Sequence, residues 1–228
     1  MKFTSQIVAS ASGSVGGCTY SRNRYGPYIR NRSVPVNPAT SFQQTVRNLL
    51  ATFTARWPTL IQSIRDAWDT YALLTPTTDS LGNAITLTGL NMYLRAQVFR
   101  TQLTGLGASD QAPTTPGLPS LTTPIATTDV SSGISVAFTN TDTWATAVGG
   151  ALGIYQSRAQ SPARQFFKGP YRLVGRVLGA VVPPTSPVIF ATYPFPYAAG
   201  QRVHYQFRAT DTQARVGSAL RQSTIAVA

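Results

Sequence analysis

Cysteine, histidine and glutamate are nearly absent from the chain, which has one Cys, one His and no Glu in 228 residues. Cys18 alone cannot form an internal disulfide, which excludes a disulfide-stapled secreted domain. Cys18, His204 and the aspartates form no metal-ligating pattern, so we expect no metal and no cofactor. No apolar run reaches the ~18 residues of a membrane span, and residues 7–11 make a poor signal peptide. We therefore expect a protein made in the cytosol, or assembled there into something larger.

Charged side chains are also sparse, at 11% of residues, whereas soluble domains typically carry about 25%. Thr, Ser, Gln, Asn, Pro and aromatic residues must cover the surface instead. Such a surface suits a protein packed against neighbours, where each buried charge would need a partner. The same composition is compatible with an ordinary Thr- and Pro-rich β protein.

Most of the charges that are present are arginines: Lys2 and Lys168 are the only lysines among 19 basic residues, and the formal net charge is +12. Residues 1–65 contain no acid. A basic excess attracts nucleic acid, membrane phosphates or acidic protein surfaces. Because Arg favours planar, bidentate or stacked contacts over loose attraction, the bias favours protein interfaces without excluding nucleic acid.

Residues 1–36 are predicted to form a basic extended arm. A Gly- and Ser-rich stretch, residues 12–17, precedes an Arg- and Tyr-rich stretch, residues 20–32, in which Gly26-Pro27 signals a turn. Alternation at the strand period predicts a β-hairpin, or two extended segments, with the arginines standing out from one face. The arm has too few apolar residues to fold alone. We therefore predict that it binds a partner through Arg22, Arg24, Tyr25, Tyr28, Arg30 and Arg32.

Residues 37–104 are predicted to form a small module of three helices. The segment Ser41-Phe42-Gln43-Gln44 has the S-x-x-Q pattern of a capping box. Apolar residues then recur on one helical face as far as Trp57, and Pro58 ends the helix. A second apolar stripe runs over residues 61–71. The third helix opens at Thr88-Gly89 and has its apolar side at Leu90, Tyr93, Leu94 and Val98.

Residues 105–125 are rich in Gly, Thr and Pro, which predicts a semi-rigid linker. Residues 126–228 have short alternating segments separated by Gly and Pro turns, which favours a β-sandwich. In the clearest strand, residues 202–209, Val203 and Phe207 face inward while His204 and Arg208 face outward. The predicted fold class is thus a multi-part α+β protein: extended arm, three-helix module and C-terminal sandwich.

Two segments resemble known families. Residues 196–210 resemble the E–F corner and F strand of a fibronectin type III or related Ig-like module, and residues 215–218 resemble the start of the next strand. The N-terminal likeness is to uncharacterised proteins encoded among the structural genes of tailed bacteriophages and prophages. It rests on Ser12-Gly13, Gly16-Gly17, the Arg/Tyr segment 21–30, Pro35-Val36-Asn37-Pro38, Arg65-x-Ala67-Trp68 and Thr88-Gly89-Leu90-Asn91-x-Tyr93. The resemblance implies a virion component and brings no catalytic residues.

Catalysis finds little support in the sequence. A nucleophilic site would need His204, which the strand alternation places on an outward face between arginines, so we interpret it as a solvated or interface residue. Cys18 lies in a cationic arm that could lower its thiol pKa, but a reactive thiol is the minority interpretation. Asp66 and Asp69, three residues apart, are interpreted as helix-capping or ion-pairing residues, not an acid–base pair. The chain is therefore predicted not to be an enzyme.

The leading functional hypothesis is a bacteriophage virion protein whose arm binds neighbouring capsid, portal or tail subunits in many copies. It would be a capsid decoration or cement protein, or a head–tail or tail component. The alternative is a phage DNA- or RNA-binding protein, because tyrosines interleave with the arm's arginines as in single-strand binders. A third possibility is carbohydrate binding by the β-domain, with Trp144, Tyr155 and Phe166-Phe167 as stacking surfaces. Trp144 is more typical of core packing.

Overall fold

The computed structural model describes residues 12–23, 26–34, 37, 39–78, 83–105, 109–119 and 121–228. The chain divides into two compact units, Met1–Gln44 and Thr45–Ala228. The predicted mixture of helices and antiparallel sheets is confirmed. Most of the helical residues belong to the second unit, as does the whole C-terminal β part, residues 125–228. No helix in the described ranges is both long and apolar enough to cross a bilayer.

The first unit contains a three-stranded antiparallel sheet, called the N-terminal sheet below, in the order β1(Gly13–Val15), β2(Cys18–Asn23) and β3(Gly26–Asn31). The predicted hairpin is thus present and has a third strand. Gly26-Pro27, predicted to form the turn, opens β3 instead.

Helix α1(Ser41–Arg56) has its N-cap one residue before the predicted one. The Gln43 amide donates to Thr40 Oγ1 at 3.4 Å, and the Thr40 amide donates to Gln43 Oε1 at 3.3 Å. This reciprocal pair is a capping box with Thr40, not Ser41, at its head. The predicted apolar stripe is buried only near its end: Phe53 lies in the core, while Phe42 is 67% exposed.

Helices α2(Gln62–Leu74) and α3(Gly89–Thr104) pack closely at the start of α3. A Cβ on Gly89 would lie 2.4 Å from Asp69 Oδ1, so only glycine fits there. The Gly89 amide donates to that carboxylate at 2.8 Å, and the Asn91 amide donates to Thr88 Oγ1. Asp69 therefore satisfies an amide of the first turn of α3, in agreement with a capping role.

Helix α3 is buried on several sides, not on the single side predicted. Of the predicted apolar positions only Tyr93 is fully buried. Tyr93 joins Phe53 and Trp68 in the core of the helices. Phe99 and Leu103, on another side of α3, form a separate cluster with Ala151 and Val216 from the β part. α3 thus lies between the other helices and a sheet, which one amphipathic stripe cannot describe.

The β part has two antiparallel sheets. One has the order β10(Val188–Phe190), β7(Gly133–Ala137) and β6(Ile125–Asp129), and the other β12(Leu220–Ile225), β11(Arg202–Thr210), β8(Ala151–Gln156) and β9(Arg172–Leu178). Between α2 and α3 lies a small hairpin, β4(Thr77–Thr78) with β5(Ala84–Ile85). Both sheets contribute to one core, for example Val136 from β7 and Phe207 from β11, and Trp144 is fully buried there.

The segment predicted to be a linker makes hydrogen bonds to both its neighbours. The indole Nε1 of Trp68 donates to the Asp110 carbonyl at 2.8 Å, and the Tyr71 hydroxyl donates to the Gly117 carbonyl at 3.2 Å. On the other side, the Thr122 amide and hydroxyl donate to the Asp142 carboxylate. These bonds fasten Asp110 and Gly117 to the helices and Thr122 to the β part.

Candidate partner-binding surfaces

The N-terminal sheet carries arginines on both faces, whereas the sequence predicted one. Arg22 of β2 pairs with Pro27, and Thr19 pairs with Arg30 of β3. Residues that pair across strands share a face, and alternate residues along a strand point to opposite faces. Even-numbered residues of β2 therefore share a face with odd-numbered residues of β3, which places Arg22 and Arg30 on opposite faces. The prediction was wrong because alternation within each strand says nothing about the register between them.

Four of the six predicted partner-binding residues can be placed. Arg22, Arg30 and Arg32 are exposed and Tyr28 is half-buried. Tyr28 pairs with Ser21 and so lies on the face of Arg30. Arg24 and Tyr25 lie outside the described residues.

The N-terminal sheet has no core of its own within the described residues. None of those whose burial is known, 12–22 and 27–34, is buried, and Val15 is 74% exposed. Its hydrogen bonds include Ser14 Oγ to Thr19 Oγ1 at 2.9 Å and the Arg32 amide to the Gly17 carbonyl at 2.8 Å. The described strands are therefore paired through their backbones, and each face carries an exposed arginine.

A second concentration of positive charge, which the sequence-based site prediction missed, lies on the β part. Between Asp142 and Asp211 the chain contains no acid. The same stretch contains seven cations: Arg158, Arg164, Lys168, Arg172, Arg176, Arg202 and Arg208. Charge counting over residues 143–210 alone would have revealed this excess of cations.

The described aspartates are already engaged within the chain. Two form ion pairs, Asp110 with Arg56 and Asp211 with Arg215. The remaining four accept hydrogen bonds from side chains or amides: Asp66 from Gln62, Asp69 from Gly89, Asp129 from Ser131, and Asp142 from Thr122. Hydrogen bonds from Ser131 and Ser132 hold the pKa of Asp129 below its ordinary value. None of the described aspartates forms an ion pair with one of these seven cations.

Several of these arginines lie over aromatic rings. Arg158 and Arg172 both place their guanidinium within 5.4 Å of the centre of the Phe195 ring. Arg164 lies 5.4 Å from the centre of the Phe167 ring. Such cation–π contacts restrain the guanidinium without neutralising its charge.

His204 is buried, so its interpretation as a solvated residue was wrong, although the strand alternation was predicted correctly. It lies on the side of β11 away from the core, but residues 157–171 fold over it. The Phe167 ring stacks on the imidazole with centroids 5.6 Å apart, and 4% of His204 remains exposed. A neighbouring segment, which no strand pattern reveals, covers the outward face.

We expect the free energy of unfolding to depend on pH through His204. Burial lowers its pKa, the charges of Arg202 and Arg164 lower it further, and a hydrogen bond to the Arg164 backbone opposes the shift. The unfolded chain therefore binds the proton more tightly. Stability is full above about pH 6.5 and falls, by at most about 1.4 kcal/mol per pH unit, as pH decreases towards the folded-state pKa.

Urea unfolding at pH 7.5, 6.5 and 5.5 measures this dependence, and His204→Phe is the matched variant. Because His204 is the sole histidine and carboxylates titrate lower, the variant's stability should be flat over this window. An unchanged pH dependence in His204→Phe would contradict the assignment.

Among the described residues, no group of three or more His, Cys, Asp or Glu side chains is placed to hold a metal ion. No protein-family model matches the chain, and no curated protein or solved structure matches it.

Proposed function

We propose that this chain is a non-enzymatic structural subunit of a bacteriophage virion that binds neighbouring subunits through its N-terminal sheet. It would act as a capsid decoration or cement protein, or as a head–tail or tail component. The phage context rests on the sequence resemblance of residues 12–100. The observation that carries the binding role is a sheet in which no residue of known burial is buried and an exposed arginine lies on each face.

An isolated small sheet is marginal in water unless one face is packed. A protein partner would supply that packing, and acidic groups on the partner would bond to Arg22 on one face and Arg30 on the other. Ordering such a segment costs on the order of 1 kcal/mol of backbone entropy per residue. Contact with both faces provides the extensive interface that offsets this cost, so we propose that the sheet inserts between two neighbouring subunits.

We further propose that the β part is a fibronectin type III or Ig-like sandwich. Its first, second and fifth strands form one sheet, and its third, fourth, sixth and seventh strands form the other. A three-plus-four division of seven antiparallel strands around one core is the arrangement of such modules. This agrees with the sequence resemblance of residues 196–210, which include β11.

The test compares the two faces of the N-terminal sheet. We expect Arg22→Ser and Arg30→Ser each to reduce incorporation into particles, and the double variant to reduce it by about tenfold or more, because each truncation leaves a partner carboxylate unpaired. Arg176→Ser, an exposed arginine on β9, is the matched control and should incorporate normally. Particles assembled with each variant are purified on a density gradient and quantified on gels.

The pattern of losses distinguishes the possible outcomes. Loss for one single variant alone would mean that only one face is bound and would reject insertion between subunits. Normal incorporation of the double variant would move attachment to the second unit. Failure of the wild-type chain to sediment with particles, together with salt-sensitive retention of DNA on gels, would favour the nucleic-acid alternative.

A further inference from the structure

A cleft on the β part, distinct from the N-terminal sheet, has a volume of about 160 Å³. One wall is aromatic and comes from the segment after β8: Phe166, Phe167 and Tyr171. The other is polar and comes from β11 and β12: His204, Arg221 and Ser223. We infer that this cleft binds a single acid-bearing sugar residue of a polysaccharide. The inference does not depend on the proposed role of the N-terminal sheet.

The aromatic wall is held in place by its own hydrogen bonds. The Tyr171 hydroxyl donates to the Phe167 carbonyl at 2.9 Å, and Arg164 Nε donates to the Phe166 carbonyl at 3.2 Å. The Phe166 side chain is nevertheless 68% exposed, while Phe167 beside it is buried. An exposed ring on a restrained segment offers an apolar face to the C–H groups of a sugar at little cost in conformational entropy.

One ring nitrogen of His204, in the polar wall, makes no hydrogen bond. The Nε2 atom is buried and has no partner. Burial lowers the pKa of His204, so the imidazole is neutral at pH 7 and one of its ring nitrogens is an acceptor. A ligand hydroxyl can donate a hydrogen bond to such a nitrogen, whereas a bare anion cannot.

Ser223 and Arg221 complete the chemistry of the polar wall. Ser223 Oγ accepts a bond from Arg202 at 3.0 Å, which leaves its own hydroxyl hydrogen for a ligand oxygen. Arg221 is exposed, and residues 143–210, which contribute most of the cleft, contain no acid that could neutralise it. The ligand that fits these groups carries hydroxyls and a carboxylate on one ring.

The size of the cleft and its single exposed ring favour a sugar residue over a nucleic-acid strand. Drug-sized ligands occupy pockets of about 300–1,000 Å³, so this cleft suits one ring. Single-strand binders present a series of aromatic faces along a groove. In this cleft Phe167 is covered by His204 and Tyr171 is half-buried, which leaves Phe166 as the exposed ring.

Calorimetric titration of the full chain tests the inference. The probes are hexamers of galacturonate, of mannuronate and of alternating glucuronate and N-acetylglucosamine, with neutral maltohexaose and single-stranded dT10 for comparison. We expect at least one acidic hexamer to bind with a Kd of about 1 mM or tighter and maltohexaose not to bind. Arg221→Gln and Phe166→Ala should each weaken that binding by about tenfold.

Arg176→Gln removes the same charge from an exposed position outside the cleft and should leave the Kd within about twofold of wild type. Arg221 and Phe166 are exposed, so thermal unfolding of their variants should match that of the wild type. Absence of binding to all three acidic hexamers would overturn the inference. Equal losses of affinity for Arg221→Gln and Arg176→Gln would show that binding is nonspecific charge attraction. That result would also overturn the inference. Binding of dT10 that depends on Arg221 would assign the cleft to nucleic acid instead.

Discussion

Trp68→Ala is expected to lower the free energy of unfolding by about 3–5 kcal/mol. Trp68 is fully buried on α2 and meets Tyr71 and Tyr93 in edge-to-face contacts, with centroids 5.8 and 5.5 Å apart. Removing the ring leaves a cavity and deletes both aromatic contacts. It also leaves the Asp110 carbonyl without the indole donor. Because the free energy of unfolding of a whole domain is about 5–15 kcal/mol, this variant should lose a large part of its stability.

Leu73→Ala is the matched control for Trp68→Ala. Leu73 lies on the same helix but is 69% exposed, so its truncation should change stability by no more than about 0.5 kcal/mol. Trp68→Phe keeps a ring but loses the hydrogen bond to the Asp110 carbonyl. Its loss of stability should lie between those of Trp68→Ala and Leu73→Ala. Chemical unfolding followed by tryptophan fluorescence and circular dichroism measures all three. Comparable losses for Trp68→Ala and Leu73→Ala would show that the helical core contributes little.

The contact between α3 and β8 is the second place where a large effect is expected. Leu103 is fully buried against β8, where a Cβ on Gly153 would lie 2.8 Å from Leu103 Cδ2 and 3.0 Å from Tyr155 Cε2. Leu103→Ala should cost about 2–5 kcal/mol through its cavity. Gly153→Leu should cost about 1–3 kcal/mol or more through overpacking.

The double variant distinguishes a direct contact from two independent defects. If Gly153 exists to admit Leu103, the leucine at position 153 fills the space that Leu103→Ala vacates. The combined cost should then be smaller than the sum of the single costs by about 1 kcal/mol or more. Additive costs in a double-mutant cycle would argue against direct packing of α3 on this sheet. Gly200→Leu is unsuitable as a control because Gly200 has φ +82°, whereas Gly153 has no such restraint.

Local patterns in the sequence predicted the helices and only some of the strands. The three helices, the paired strands near the N-terminus and the strand that became β11 follow from periodicities of 3.6 and 2 and from Gly and Pro punctuation. Burial of Trp144 also followed from its residue type. The candidate site was predicted less completely, since the exposed arginines were recognised but neither their faces nor the excess of cations in residues 143–210 was.

Long-range packing decided the rest. The faces of Arg22 and Arg30 depend on the register between β2 and β3, which pairs even with odd residue numbers. The burial of His204 depends on Phe167 folding over it from another part of the chain.

The role of Asp110 likewise depends on contacts with Arg56, Tyr93 and Trp68, all distant in sequence. The sequence by itself determined the three helices and the strands with clear alternation, because side-chain periodicity is local. The tertiary structure alone decided which faces are covered, because coverage depends on residues tens of positions away.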